Sequence, residues 1–189
     1  GEVREYVDSR IGGFSVLVEG TPQFPRSLRA QKDPLPVFYY RGDLSLVESR
    51  CVSVVGTRHP SERGALAARR IARALADCDI TVVAGLAAGI DTEAMTQAIS
   101  VGGSVIGVIG TPIDRYYPKE NRALQDEVAA KHLLISQVPI YRYDHQPFNT
   151  QRFYFSERNV TMAALSEATI IVEAGETSGT RTQARACID

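Results

Sequence analysis

Four short segments of this chain pair small residues with polar groups suited to holding an anion. They are Gly56-Thr57-Arg58, Gly85-Leu86-Ala87-Ala88-Gly89-Ile90-Asp91, the stretch before Arg158-Asn159, and Ser178-Gly179-Thr180. Small side chains let backbone N–H groups come close to an anion, and a helix N-terminus beside them adds partial positive charge. Phosphate is the natural guest of such a place. Arginine suits it too, because its planar fork grips two oxygens where an ammonium is a point charge. Of the 21 basic residues, 18 are Arg and 3 are Lys. That bias has two readings, codon usage in a GC-rich genome or selection for phosphate. The glycines also have two: tight strand-to-helix turns alone, or turns that converge on a ligand.

Tyr141–Arg158 is the second unusual stretch. The chain holds 8 Tyr, 6 Phe and no Trp, and six of these rings (Tyr141, Tyr143, Phe148, Phe153, Tyr154 and Phe155) fall there. Arg142, His145, Arg152 and Arg158 are interleaved with them. Rings that stack on bases, with arginines on the backbone, make a platform for single strands, each stack contributing ~1–3 kcal/mol. The alternative is a loop whose rings cover the sheet edge or a dimer contact.

Other chemistries find little support. The first Val-rich run is followed by Gly56-Thr57-Arg58-His59-Pro60, not by G-x-G-x-x-G, and Ala84-Gly85 offers no acid for a ribose. No G-x-x-x-x-G-K-[ST] loop occurs. Ser136 lacks a G-x-S-x-G elbow. Asp91 reads as a helix cap rather than a catalyst, and Glu173 as a residue ordering nearby amides. The three cysteines, Cys51, Cys78 and Cys187, are scattered and odd in number, which suggests a reduced, cytoplasmic setting without metal. A net charge of −1 argues against wholesale capture of nucleic acid but leaves room for a local basic site. No apolar run approaches ~18 residues, so no membrane span is expected. No cofactor is expected either.

These residues need a frame. At 189 residues with 44% hydrophobic content, the chain is about one domain. Strands are predicted at Phe14–Val18, Pro36–Arg41, Cys51–Val55, Ile80–Ala84, Ser104–Ile109, His132–Ser136 and Ala168–Glu173. Helices are predicted at Ser61–Asp77 with Ser61 as cap, Asp91–Ser100 with Asp91 as cap, Asn121–Ala130, Arg158–Ser166, and from Ser178 onward. Residues 1–50 read as an N-terminal arm packed on a core of residues 51–189. The alternation gives βαβ units, and the strands are continuous apolar runs, as a twice-covered sheet requires. The fold class is therefore α/β: a doubly wound, Rossmann-like, mostly parallel sheet with helices on both faces and a short N-terminal extension. In such folds ligands sit outside the carboxyl ends of the strands, where the four segments should meet. The chain ends inside a predicted helix, so a longer parent protein is expected.

Taken in order, these motifs resemble the DNA-processing protein A (DprA/Smf) family, within a wider group of Rossmann-like proteins that includes the LOG enzymes. The resemblance runs from about Phe24 to Asp189. It is carried by Phe24-Pro25-Arg26-Ser27-Leu28, Asp33-Pro34, Tyr40-Arg41-Gly42-Asp43, Val54-Val55-Gly56-Thr57-Arg58, the Gly85–Asp91 segment, Tyr117-Pro118-Lys119-Glu120-Asn121, Arg158-Asn159, Leu165-Ser166, Val172-Glu173-Ala174 and Ser178-Gly179. It implies a non-catalytic, cytoplasmic, usually homodimeric protein. Such a protein binds single-stranded DNA and hands it to a RecA-type recombinase during transformation. The implied DNA site is the pocket of Arg58, Gly85, Gly89, Phe155, Arg158, Asn159, Ser178 and Gly179; the reading of the residues themselves adds Gly56, Thr57, Ala87, Arg152 and Thr180 as candidates. The chain departs from the family at Ala84, Met95, Gln137, Ser156, Val160 and Arg181. The other candidate is a nucleotide sensor or LOG-like nucleotide glycosidase. Its P-G-G-x-G-T-x-x-E pattern is met only loosely by Gly175–Thr180, and the glutamate position falls on Gln183.

Overall fold

Strands start within the first fifty residues. The two early apolar runs form β1 (Ser15–Val18) and β2 (Val37–Gly42). Five more follow: β3 (Cys51–Gly56), β4 (Thr81–Ala84), β5 (Val105–Ile109), β6 (Leu133–Ser136) and β7 (Ala168–Val172). The fold is known from a computed structural model, which describes residues 2–10, 12–30, 35–174 and 184. The predicted helix after Ser178 lies outside these residues.

The sheet order is β1-β2-β6-β5-β4-β3-β7. β3 to β7 pair in parallel, whereas β1–β2 and β2–β6 are antiparallel. The first strands thus extend the parallel sheet past β6, with Tyr40 opposite Ile135. The fold is α/β with a mostly parallel, doubly wound sheet, as the alternation of elements implies. From β3 the chain steps one way through β4, β5 and β6, then returns to set β7 on the other side of β3. The β3–β7 boundary is where the winding reverses, the place at which such sheets open a crevice.

Among the described residues eight α-helices flank these strands: α1 (Glu2–Asp8), α2 (Arg26–Arg29), α3 (Glu62–Asp77), α4 (Ile90–Ser100), α5 (Arg122–Lys131), α6 (Ile140–His145), α7 (Phe148–Gln151) and α8 (Phe153–Leu165). Ala68 and Ala72 of α3, Ala94, Met95 and Ala98 of α4, and Val128 of α5 bury one face with Val54, Val82, Val105 and Leu134. Met162 and Leu165 of α8, with Leu28 of α2 and Phe24, bury the other with Val55, Val83, Ile106 and Val108. Small residues on α3 and α4 bring those helices close to the strands. Ser61 caps α3, its Oγ accepting from the Gly64 amide at 3.1 Å.

Two boundaries differ from the sequence expectation. α8 starts at Phe153, not Arg158, so Arg158 sits mid-helix rather than at a helix N-terminus. Its buried residues Tyr154, Arg158, Thr161, Met162 and Leu165 keep helical spacing through the arginine. The aromatic stretch from Tyr141 is also not an open loop, because α6 and α7 occupy much of it.

α1 docks on α6 through rings and charges. Tyr6 meets Tyr141 and His145 edge-on at 5.4 and 5.3 Å. Its hydroxyl donates to Asp144 at 2.6 Å. Arg10 bridges Asp144 and, at 2.9 Å, Asp114, while Arg115 reaches Asp144 at 3.3 Å. Burial alone would raise the Asp144 carboxyl, but the Tyr6 hydroxyl and the two arginines outweigh it and hold it below its ordinary value. A depressed carboxyl stabilises the fold above its unfolded pKa of ~3.9, and that contribution is lost as pH falls through the lower folded value. Asp144→Asn should therefore lower the melting temperature at neutral pH, with a gap to the native chain that narrows in acid. A gap independent of pH would assign the loss to packing instead of charge.

Candidate functional site

The carboxyl ends of β3, β4 and β5 meet the first turns of α8. At their centre Asp91, one residue into α4, is 4% exposed. It is not the cap expected of it: Gly89 takes the N-cap position, and the Asp91 carboxylate reaches back to accept from the Gly85 amide at 2.8 Å and from the Ala87 amide. Burial pushes this carboxyl up, while the Arg158 guanidinium, then the two amides, then Arg58 pull it down. Arg158 is 7% exposed. Burial pushes its guanidinium down, and Asp91 is the charge that offsets this. Burial outweighs the partner charge in each case: the Asp91 carboxyl stays above its ordinary value and the Arg158 guanidinium below its own, so the two charges offset the cost of burial only in part. Arg158 is further held by bonds from Nη1 to the Val108 carbonyl at 3.1 Å and from Nε to Asn159 at 3.0 Å.

The loop after β4 fits tightly round this pair. A Cβ on Gly85 would overlap the Arg158 guanidinium. Gly89 has φ of +80° and lies where a Cβ would strike the Thr57 and Arg58 backbone. Leu86 adopts φ of +55° without being glycine. Asn121 Nδ2 holds its carbonyl and the Thr92 hydroxyl, both at 2.8 Å, and that hydroxyl in turn donates to the Ala87 carbonyl at 2.8 Å. On the β7 side Glu173 orders amides, as its place at the strand end suggests. Its carboxylate accepts from the Ser61 amide and hydroxyl, and its carbonyl from the Thr57 amide at 2.9 Å.

These contacts use up donors that the sequence reading had assigned to an anion. The amides of Thr57, Gly85 and Ala87 serve Glu173 and Asp91, that of His59 the Thr57 side chain, and that of Ile90 the Thr57 carbonyl. Positive charge reaches the cavity through side chains. The cavity holds about 130 Å³ and is lined by Arg58, His59, Gly85, Ala87, Tyr117, Phe155 and Arg158, among others. Arg58 is exposed at its mouth. Phe155 and Tyr117 form one wall, ring centroids 5.4 Å apart and tilted by 56°.

Gly56, Thr57, Arg58, Gly85, Ala87, Gly89, Phe155, Arg158 and Asn159 thus come together. Arg152 does not: it is exposed at the start of α8, 5.4 Å from the Phe153 ring centroid. Ser178, Gly179, Thr180 and Gln183 lie outside the described residues. The six-ring platform divides. Tyr141 packs on α1, Tyr143 on the buried Tyr154, Phe148 and Phe153 face solvent, and only Phe155 enters the cavity. Tyr117 and Asn121 were not among the expected site residues, although their Tyr-Pro-Lys-Glu-Asn run was visible. Among the described residues no cluster of three or more His, Cys, Asp or Glu is placed to hold a metal, and no helix is long and apolar enough to cross a membrane.

Removing one member of a buried charge pair leaves the other uncompensated, which costs ~3–5 kcal/mol. Asp91→Ala should lose stability of that order in denaturant unfolding. Adding Arg158→Met should recover part of it, since residues coupled in one network are non-additive. Strict additivity of the two losses would show that the pair is not coupled.

A family model for DNA recombination-mediator protein A matches residues 15–189. The Smf protein of Synechocystis is 39% identical over 167 residues, covering 86% of this chain and 40% of its own length. The X-ray structure of DNA processing protein A from Streptococcus pneumoniae superposes with a TM-score of 0.86 at 32% identity, over 98% of this chain and 63% of that one. A structure of the Helicobacter pylori protein, described for its single-stranded DNA binding mode, gives 0.77 at 29% identity, over 92% and 75%. The chain spans about half the length of the curated relatives it matches. With a family model across nearly all its length and the fold shared, this chain belongs to the DNA-processing protein A family.

Proposed function

We propose that this chain binds single-stranded DNA at the cavity between the β3 and β4 loops and α8. The observation that carries the reading is the pairing, in one cavity, of two arginines with an aromatic wall. Arg58 at the mouth and the fixed Arg158 suit phosphate, and Phe155 with Tyr117 suits a base. A duplex keeps its bases stacked internally and has none to offer that wall. The single-stranded DNA binding described for the Helicobacter pylori relative supports the same reading. Gly56, Thr57, Gly85, Ala87, Gly89 and Asn159 shape the site; Ser178, Gly179 and Thr180, which the sequence reading adds, lie outside the described residues. The role is binding rather than catalysis. We further infer that the full protein acts in the cytoplasm, self-associates, and passes strands to a RecA-type recombinase.

Fluorescence polarisation with labelled oligo-dT tests this, competed by duplex and by free nucleotides. Affinity should favour single strands and fall with salt at a log–log slope of roughly −0.7 per phosphate neutralised. Equal affinity for duplex, or displacement by free nucleotide at equal phosphate concentration, would overturn it. Arg58→Ala should weaken binding by roughly 10- to 150-fold, the worth of charge-assisted bonds of ~1.5–3 kcal/mol, and do so alike for all sequences. Phe155→Ala should weaken it while preserving most of the salt slope. An Arg58→Ala protein that melts lower but binds as before would remove Arg58 from the site.

A further inference from the structure

Both rings of the cavity wall depend on one irregular segment, residues 110–118, which follows β5. Phe155, in the first turn of α8, packs on its first residue: a Cβ on Gly110 would strike the ring and the Phe155 Cα. Tyr117, near its other end, faces the same ring. The segment has neither helix nor strand to fix it. Its shape rests on what clasps it from outside.

β6 and α5 supply one set of clasps. The Ser136 hydroxyl donates to the Thr111 carbonyl at 2.6 Å, and the buried Gln125 amide to the Arg115 carbonyl at 2.8 Å. The Tyr116 hydroxyl donates to Asp126 at 2.7 Å, and Arg122 lies over the Tyr116 ring. The second set comes from further away. Asp114 pairs with Arg10, just past α1, at 2.9 Å, and Arg115 pairs with Asp144 of α6 at 3.3 Å. Asp144 also accepts from Tyr6 and Arg10. One carboxylate, 17% exposed, therefore ties α1, the 110–118 segment and α6 together. Such a network holds its members more firmly than an isolated surface pair does. It stands behind both rings: Arg115 is two residues before Tyr117, and α6 leads through α7 into α8 and Phe155. Yet neither α1 nor Asp144 lines the cavity.

Resting on the proposed single-strand reading, we propose that Asp144 is a positioning residue for strand binding. Through Arg115, and with α1 as its brace, it holds Tyr117 against Phe155 in the arrangement that stacks on a base. The phosphate side of the site does not depend on it, because Arg158 is fixed separately by Val108 and Asn159. Loss of the network should therefore cost stacking and spare the ionic contacts.

The test is a double-mutant cycle between Asp144→Asn and Phe155→Ala, read by polarisation with labelled oligo-dT at a temperature where every variant is folded. Asp144→Asn should weaken binding about 5-fold, as for loss of one weak stack, with the salt slope unchanged. Removing a carboxylate adds one positive charge, which by itself favours a polyanion, so this loss has the opposite sign to a charge effect. In the Phe155→Ala background Asp144→Asn should cost nothing further. Without DNA, the fluorine NMR line of 3-fluorotyrosine at Tyr117, assigned with Tyr117→Phe, should move in Asp144→Asn and return toward its native place in Asp144→Glu. If Asp144→Asn does not fold, Arg115→Met serves, since Arg115 is half exposed and its removal leaves Tyr6 and Arg10 on Asp144. Its loss should likewise be absorbed by Phe155→Ala. Unchanged affinity, additive losses or an unmoved Tyr117 line overturns the inference and leaves the single-strand reading standing. A native chain that does not bind oligo-dT overturns that reading, and this inference with it.

Discussion

Two charges taken out of water at one end of the sheet constrain everything around them. Asp91 and Arg158 would each be costly to bury alone. Together they oblige the β4 loop to pass between them with almost no side chain, which is what Gly85 provides. Having no room, the loop takes a strained course through Leu86, whose positive φ costs ~1–3 kcal/mol for a residue with a Cβ. Asn121 and Thr92 make three hydrogen bonds to or beside that turn, each worth ~0.5–1.5 kcal/mol, a comparable sum. The strain is thus held by side chains from two other segments.

Much of this frame was legible in the sequence, for identifiable reasons. The strands from β3 to β7 are Val- and Ile-rich runs closed by small or polar residues, and a twice-covered parallel sheet leaves such runs little alternative. Ser61 was readable as a cap because its chemistry is local. Asp91 was misread for the same reason. Local rules put an Asp at a helix start on its own helix, whereas here the carboxylate leaves α4 to hold the preceding loop. The start of α8 was missed because Arg158 looked like a surface boundary. A buried arginine breaks the apolar pattern, and only the Asp91 carboxylate, 67 residues earlier in the sequence, makes it a core residue.

The division of the aromatic stretch has a similar origin. Composition shows six rings within eighteen positions but not which way each one points. Direction depends on where helices begin, and α6, α7 and α8 start at positions set by Pro139, Pro147 and the chain's return toward β7. One ring goes to the cavity, two pack on each other, one takes α1, and two remain in solvent. The resemblance to a family singled out Phe155 as a site residue but said nothing of where the other five rings go.

A chain with a net charge of −1 has no long-range field with which to gather a polyanion. On the proposed reading, its affinity must come from contact. Arg158 suits this, because a guanidinium already fixed by Val108 and Asn159 loses little freedom when a phosphate arrives. Arg58, exposed and free to search, contributes the salt-sensitive part. Stacking on Phe155 and Tyr117 adds a part that salt does not screen. The balance between the two arginines follows from their burial: the inner one sets where a phosphate sits, and the outer one sets how strongly ionic strength is felt.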